Sequence, residues 1–252
     1  FLKNAFKIIA CVDKDKQLLH KYYNAQEDKI VIQPFVSRLP LIYEKIEDKT
    51  EFQKHIVKLK LDSSKKILFY PAQFWPHKNH KYIIDALDLM VNKFKNKDYH
   101  VIFCGYDKFD HLKFLKKQIE EKNLLNYFTF FDYLEDEEII TIYLNSHALV
   151  MPTFVGHYSL PLFESFYFKI PAFFTKDLLD EDLRKYVFEI DTKIPEDLVS
   201  KLLDIDTNKK KEVENLKNDA HDFYKSFCSL DRIKKTYNDI FEEVIYFKSM
   251  WK

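Results

Sequence analysis

The sequence contains two glycines in 252 residues, where an average usage of about 7% would give roughly 18. Lys, Ile, Asn and Phe are abundant instead, as expected of an AT-rich coding sequence. Under that bias a retained glycine marks a point where the backbone needs one. Both, Gly105 and Gly156, follow apolar, strand-like runs. Cysteine is almost as scarce. Cys11, Cys104 and Cys228 are odd in number and far apart, with no CxxC or Cys/His finger spacing. Neither a disulfide framework nor a zinc site is indicated, and reduced cytoplasmic thiols are the plain reading. No apolar run approaches the roughly 18–20 residues of a membrane span. Net charge is absent too, since 40 basic residues balance 40 acidic ones; a nucleic-acid binder needs a basic surplus to neutralise phosphates. The opening FLKNAFKIIA has neither a Met nor a small-residue cleavage site, so it reads as the interior of something longer rather than a signal peptide.

What the chain has is apolar surface to bury: 46% of residues are hydrophobic and 17% aromatic, enough for a sizeable core. Short apolar runs at 5–12, 29–33, 66–70, 100–104, 127–131, 148–151 and 171–175 predict strands. Helical patterns fall at 14–23, 52–61, 80–94, 111–122, 135–145, 162–168, 195–203, 209–227 and 231–247. Pro40 and the charged stretch Glu44–Glu51 read as a linker. Regular alternation of strand and helix over the central part predicts a parallel, doubly wound α/β sheet, because parallel neighbours need crossover helices. Such sheets bind ligands outside the carboxyl ends of their strands. Here those edges are Pro71–Asn79, Cys104–Asp110, Asp132–Asp136 and Pro152–Leu160.

Two of these edges carry candidate chemistry. In YPAQFWPHKNH (70–80) a strand gives way to a loop and then a helix beginning near His80. Lys78 therefore lies just before a helix N-terminus, where anions are favoured. Forty basic residues make a solvated lysine the ordinary alternative. His77 and His80, three apart, have the spacing of metal ligands on a helix. No third ligand accompanies them, so capping or surface placement is the simpler reading. In MPTFVGHYSLPLFESFYFKIP (151–171) a strand is followed by a loop containing Gly156 and a helix starting near Pro161. A glycine between strand and helix permits close approach of backbone N–H groups to a phosphate. Glu164, one turn into the helix, is placed to accept from ribose hydroxyls; an ordinary surface glutamate and a turn glycine are the equal alternative. The triplets Asp13–Asp15, Asp180–Asp182 and Asp204–Asp206 have the form of a cation-holding pair, but such spacings arise by chance in a chain that is 32% charged.

Taken in order, YPAQFWPHKNHKYIIDAL, VIFCG, YFTFFDYLEDEEIITIYLNSHALVMPT and GHYSLPLFESFYFKIPAFF resemble the C-terminal, donor-binding domain of GT-B glycosyltransferases. The resemblance is to the large retaining family 4 of bacterial surface-polysaccharide enzymes. It covers roughly 66–174, and DRIKKTYNDIFEEV is similar to that family's closing helix. It implies that residues 1–45 are a remnant of the N-terminal, acceptor-side domain and linker, and that 46–252 form the nucleotide-sugar-binding domain. Lys78 matches the family's diphosphate lysine, and Gln73 stands where its arginine is expected. Glu164 matches the second of two glutamates eight residues apart and is implied to hold the ribose; Gly156 replaces the first. Lys78 and Glu164 are thus the catalytic candidates. The backbone of His157, Tyr158, Ser159 and Leu160 is implied to meet the phosphates and sugar, and Asp132 and Tyr133 to border the nucleobase. The implied reaction is metal-independent hexosyl transfer with retention, from a UDP- or GDP-linked donor and without a cofactor. The implied acceptor is a glycan or lipid-linked glycan at the inner membrane face. A nucleotide-sugar-binding module without activity of its own, and a nucleotide-sugar epimerase of the same fold, are the alternatives.

Overall fold

Two runs of β-branched residues open the chain and pair with each other. The computed structural model describes residues 2–156 and 158–250. Strand β1 (Ile8–Ala10), helix α1 (Asp13–Tyr23) and strand β2 (Ile30–Ile32) form a two-stranded parallel sheet in which Ile8 faces Ile30 and Ala10 faces Ile32. Ala10, Ala25 and Ile30 make a small apolar cluster with Ile8, Leu19 and Ile32 around it.

Helices α2 (Leu39–Lys45) and α3 (Glu51–Lys58) follow. The expected linker is therefore partly wrong: Pro40 occupies the first turn of α2, where its missing N–H costs nothing. Leu39 and Phe52 are buried in the main core, and only residues 46–50 remain irregular.

The larger sheet is built from β3 (Lys66–Pro71), α4 (His80–Asp88), β4 (Tyr99–Cys104), α5 (His111–Glu121), β5 (Phe128–Phe131), α6 (Asp136–Leu144), β6 (Ser146–Met151), α7 (Leu160–Tyr167), β7 (Ala172–Thr175), α8 (Glu181–Arg184) and β8 (Phe188–Ile190). The predicted helix over 80–94 is interrupted. After Asp88 the chain widens into a π turn, Leu89–Lys93, closed by Phe94 N–H donating to Leu89 O at 3.0 Å. Neither α8 nor β8 was expected from the sequence. Helices α9 (Pro195–Thr207), α10 (Lys210–Phe227) and α11 (Leu230–Ser249) complete the chain.

Every pairing in the larger sheet is parallel, and the strand order is β5-β4-β3-β6-β7-β8. Burial on both faces explains why β3, β4 and β6 read as continuous apolar runs. Helix α4 packs on α5 and α9, whereas α2 packs on α6 and α7, and α7 also on α10. The chain moves outward from β3 through β4 to β5, then returns to β6 beside β3. The direction of winding thus reverses between β3 and β6, and their carboxyl ends flank a crevice. Helix α11 runs back to the small sheet: Lys7 pairs with Glu243 at 2.8 Å, and the Phe6 and Phe247 rings meet edge to face at 5.5 Å.

Candidate functional site

The first wall of the crevice is the loop leaving β3. Ala72 and Phe74 turn inward and Gln73 outward. Phe74 N–H donates to Tyr106 O at 3.2 Å, tying this loop to the one after β4. Gly105 makes that contact possible. A Cβ there would stand 2.3 Å from Ala72 O and 2.8 Å from Gln73 Cα. A single 3₁₀ turn, Pro76–Lys78, follows, and Asn79 takes the left-handed conformation (φ 54°) that redirects the chain into α4. Tyr70, buried in β3, donates its hydroxyl to Lys78 O at 2.9 Å, so the lysine backbone is anchored to the sheet. Its side chain is half-buried, and burial holds its pKa below the usual lysine value. No carboxylate pairs with it among the described residues.

His80 corrects the sequence reading. It neither caps a helix nor lies at the surface; it is fully buried among Tyr70, Phe74 and Phe103, with ring centroids 4.9–5.0 Å away. Burial pushes its pKa down to about 3, against a smaller opposing effect of a hydrogen bond to the Ala72 backbone. His77 is partly exposed, and its carbonyl does the structural work described next.

The second wall is the loop leaving β6. His77 O accepts from Phe154 N–H at 2.9 Å and from Thr153 Oγ1 at 3.3 Å. Thr153 is itself buried, and its carbonyl accepts from Thr175 Oγ1 at 2.7 Å. The two walls are therefore stitched together one peptide away from Lys78. Gly156 has φ +105°, a conformation that side chains resist, although a Cβ there would make only an ordinary contact, 3.9 Å from Tyr158 O. His157 lies outside the described residues. Tyr158 donates its hydroxyl to Phe35 O and packs on Phe163 at 5.0 Å. Ser159 is the N-cap of α7, yet its hydroxyl turns toward Met151 Sδ (3.8 Å) instead of capping. No side chain caps the first turn of α7, which opens at the exposed Leu160 on the crevice rim; Pro161 removes one N–H there, and the positive end of the helix faces the crevice.

Glu164 lies beneath this loop, 7% exposed. Ser37 donates to its Oε1 at 2.5 Å and Tyr143 to its Oε2 at 2.7 Å. Burial raises its pKa, and the two donated hydrogen bonds oppose that rise. Arg38, next to Ser37, pairs with Asp136 of α6 at 2.7 Å. Residues 35–38 thus form a strap held to the loop, α6 and α7. Gln73, Lys78, residues 153–156 and residues 158–160 converge at the crevice, whereas Asp132 and Tyr133 stand exposed at the end of β5, the edge strand. Tyr133 donates to Glu135 at 3.2 Å.

Ser37, Tyr143 and Thr153 were not foreseen. Ser37 is 127 positions from Glu164, and no local pattern announces a contact of that range. Of the Asp pairs, Asp206 lies at the opposite, amino end of the sheet, bonded to Lys66 (2.6 Å), Tyr99 and His147 (2.9 Å). Asp13, Asp180 and Asp182 border a cleft between α1 and α8. Among the described residues no group of three or more His, Cys, Asp or Glu is arranged to hold a metal, and no helix is long and apolar enough to cross a membrane.

Solved structures share this architecture. A glycosyltransferase from Rickettsia africae superposes with a TM-score of 0.81 at 19% identity, over 97% of this chain and 64% of that one. The Anabaena protein Alr3699/HepE, solved in complex with UDP and glucose, gives 0.80 at 13% identity, over 96% and 64%. Sucrose-phosphate synthase from Thermosynechococcus elongatus gives 0.76 at 13%, over 97% and 60%. The chain thus spans less than two thirds of these relatives' length. No curated protein matches the sequence. The family model of glycosyl transferases group 1 matches residues 51–223, the stretch that builds both walls of the crevice, and the chain belongs to that family.

Proposed function

We propose that this chain is the donor-binding half of a retaining, metal-independent glycosyltransferase. It moves a hexose from a nucleotide-sugar to a glycan or lipid-linked acceptor in bacterial surface-polysaccharide synthesis. The observation that carries the reading is Lys78. A half-buried ammonium with no acidic partner is costly unless a ligand supplies the anion. It sits at the reversal point of a doubly wound sheet, where such folds bind nucleotides. The N-terminus of α7, which no side chain caps, and the loop around Gly156 add a setting suited to a diphosphate. In this reading the leaving diphosphate is stabilised by Lys78 and backbone donors, which act on charge developed in the transition state. Gln73 takes the outer phosphate, Glu164 the ribose, residues 157–160 the sugar, and Asp132 and Tyr133 the base. The uridine nucleotide bound by the Anabaena relative favours UDP over GDP.

Residues 1–45 belong to the acceptor-side half in this proposal, and 46–252 to the donor side. The greater length of the similar structures supports the partition, as does the small size of the β1–β2 sheet. Donor binding is proposed for the chain itself; transfer is proposed for the protein with a complete acceptor side, working at the cytoplasmic face of the membrane. Calorimetric titration with UDP, GDP and inorganic phosphate, with and without Mg²⁺, tests it. Micromolar, metal-independent nucleotide binding that weakens at least tenfold in Lys78→Ala, about 1.4 kcal/mol, is expected. Equal affinity in the variant and the parent refutes the assignment.

A further inference from the structure

The two oxygens of Glu164 are held by partners of different kinds. Tyr143 belongs to the framework. It sits in the last turn of α6, fully buried, with its ring stacked on Phe168 (5.3 Å, 13°) and edge-on to Phe69 (5.1 Å). These contacts hold its hydroxyl between two acceptors of α7, Glu164 Oε2 at 2.7 Å and the more distant Pro161 O at 3.5 Å, and the short contact is to Oε2. Burial raises the phenol pKa well above its usual value, so the group donates at any working pH.

Ser37 belongs to the strap between β2 and α2. Its Oγ accepts from Leu39 N–H at 3.2 Å, which directs its own proton toward Oε1 at 2.5 Å. An aliphatic hydroxyl donating to a carboxylate is chemically what a ribose offers. The strap is otherwise fastened by the exposed Arg38–Asp136 pair, the Tyr158–Phe35 hydrogen bond and the half-buried Val36, which packs on the main core.

We propose that Tyr143 is the positioning residue that fixes Glu164, and that the Ser37 hydroxyl is a stand-in which a ribose hydroxyl displaces from Oε1. The proposal rests on the reading of Glu164 as the ribose acceptor. Nucleotide binding and release of the strap are then one event. The hydroxyl that leaves Oε1 is replaced in kind, so the buried carboxylate is never left without a donor on that side.

The two residues therefore respond oppositely. Removing the Tyr143 hydroxyl leaves Oε2 unpaired and the carboxylate free to rotate, which weakens its grip on ribose. Removing the Ser37 hydroxyl deletes the competitor. The probes are UDP and 2′,3′-dideoxy-UDP, which differ only in the hydroxyls that Glu164 is to bind. Tyr143→Phe is expected to weaken UDP about tenfold, the scale of one hydrogen bond to a charged group, and to leave the dideoxy analogue unchanged. Ser37→Ala is expected to tighten UDP at least about twofold, with the analogue again unchanged. Equal weakening of both ligands by Tyr143→Phe would mark a merely structural role and overturn the proposal. Unchanged or weaker UDP binding by Ser37→Ala overturns the displacement, and this arm stands alone should Tyr143→Phe not fold. A parent protein that binds both probes equally well, yet loses both in Lys78→Ala, removes the ribose role of Glu164 while leaving the diphosphate site. A parent that binds neither overturns both readings.

Discussion

Adding one methyl group at Gly105 should be far more damaging than adding one at Gly156, for reasons that differ in kind. A Cβ at Gly105 would lie 2.3 Å from Ala72 O, 2.6 Å from Ala72 C and 2.8 Å from Gln73 Cα. All three are backbone atoms, so no side-chain rotation relieves the contact. Reaching ordinary contact at 3.4 Å requires the two loops to separate by about 1.1 Å. The Phe74–Tyr106 hydrogen bond, already 3.2 Å long, lies in the path of that movement. Overpacking of this sort costs about 1–3 kcal/mol, and losing the hydrogen bond adds about 1 kcal/mol. For a chain of this size, roughly 2–4 °C is lost per kcal/mol, so Gly105→Ala should lower Tm by about 4–16 °C. At Gly156 the nearest atom would be 3.9 Å away, and the only obstacle is φ +105°. Backbone strain of about 1 kcal/mol translates into roughly 2–4 °C. Thermal unfolding of the two variants beside the parent protein measures both. A Gly105→Ala protein that melts within about 1 °C of the parent, or a Gly156→Ala protein that melts lower than Gly105→Ala, refutes the steric account. The Gly105 variant should also bind UDP more weakly, because the displaced loop carries Lys78.

His80→Leu replaces an imidazole buried among aromatic rings and hydrogen-bonded to the Ala72 backbone, and should leave Tm at pH 7.5 nearly unchanged. Its effect grows in acid. The native pKa of about 3 lies below the unfolded value of about 6.5, so the unfolded chain takes the proton first. Stability is complete above about pH 6.5 and falls below it, by about 2 kcal/mol at pH 5; the variant should lose this much less, as read by urea midpoints at the two pH values. Asp206, whose pKa is held below the usual value by Lys66 and Tyr99 against the opposing effect of burial, behaves as a depressed carboxylate. Its contribution is present above about pH 3.9 and disappears as pH falls through the lower native pKa. Asp206→Asn should therefore cost about 1–3 kcal/mol at pH 7, with the gap to the parent closing below about pH 4; a gap independent of pH contradicts the assignment.

Strands β3 to β6 were legible because each is a short apolar run closed by Pro, Gly or Asp, and because strand and helix alternate. The crevice followed from the same alternation. Elements decided by tertiary packing were not legible. Pro40 reads as a breaker until Leu39 is seen to be buried against the main core. The sequence FEI of β8 is too short and too charged to stand out, and it is a strand because β7 offers it an edge. His80 looks like a surface histidine because its neighbours in sequence are polar; its neighbours in space are aromatic. Lys78 and Gly156 were visible from their place between strand and helix. The environment of Glu164 was not, since its partners come from a strap and a helix distant in the sequence.

The pairing of β3 with β6 has a consequence for the order in which the molecule is made. These strands are adjacent in the sheet, Ile67 beside Ser146, but the whole of β4 and β5 lies between them in the chain. On the ribosome β3, β4 and β5 emerge first and can associate in sequence, leaving one long apolar edge of β3 without a neighbour until β6 appears. Such an edge is an invitation to intermolecular pairing. The crevice thus forms only when the chain returns across the sheet with β6, and slow elongation or truncation before Met151 should yield an aggregating product rather than a partly active one.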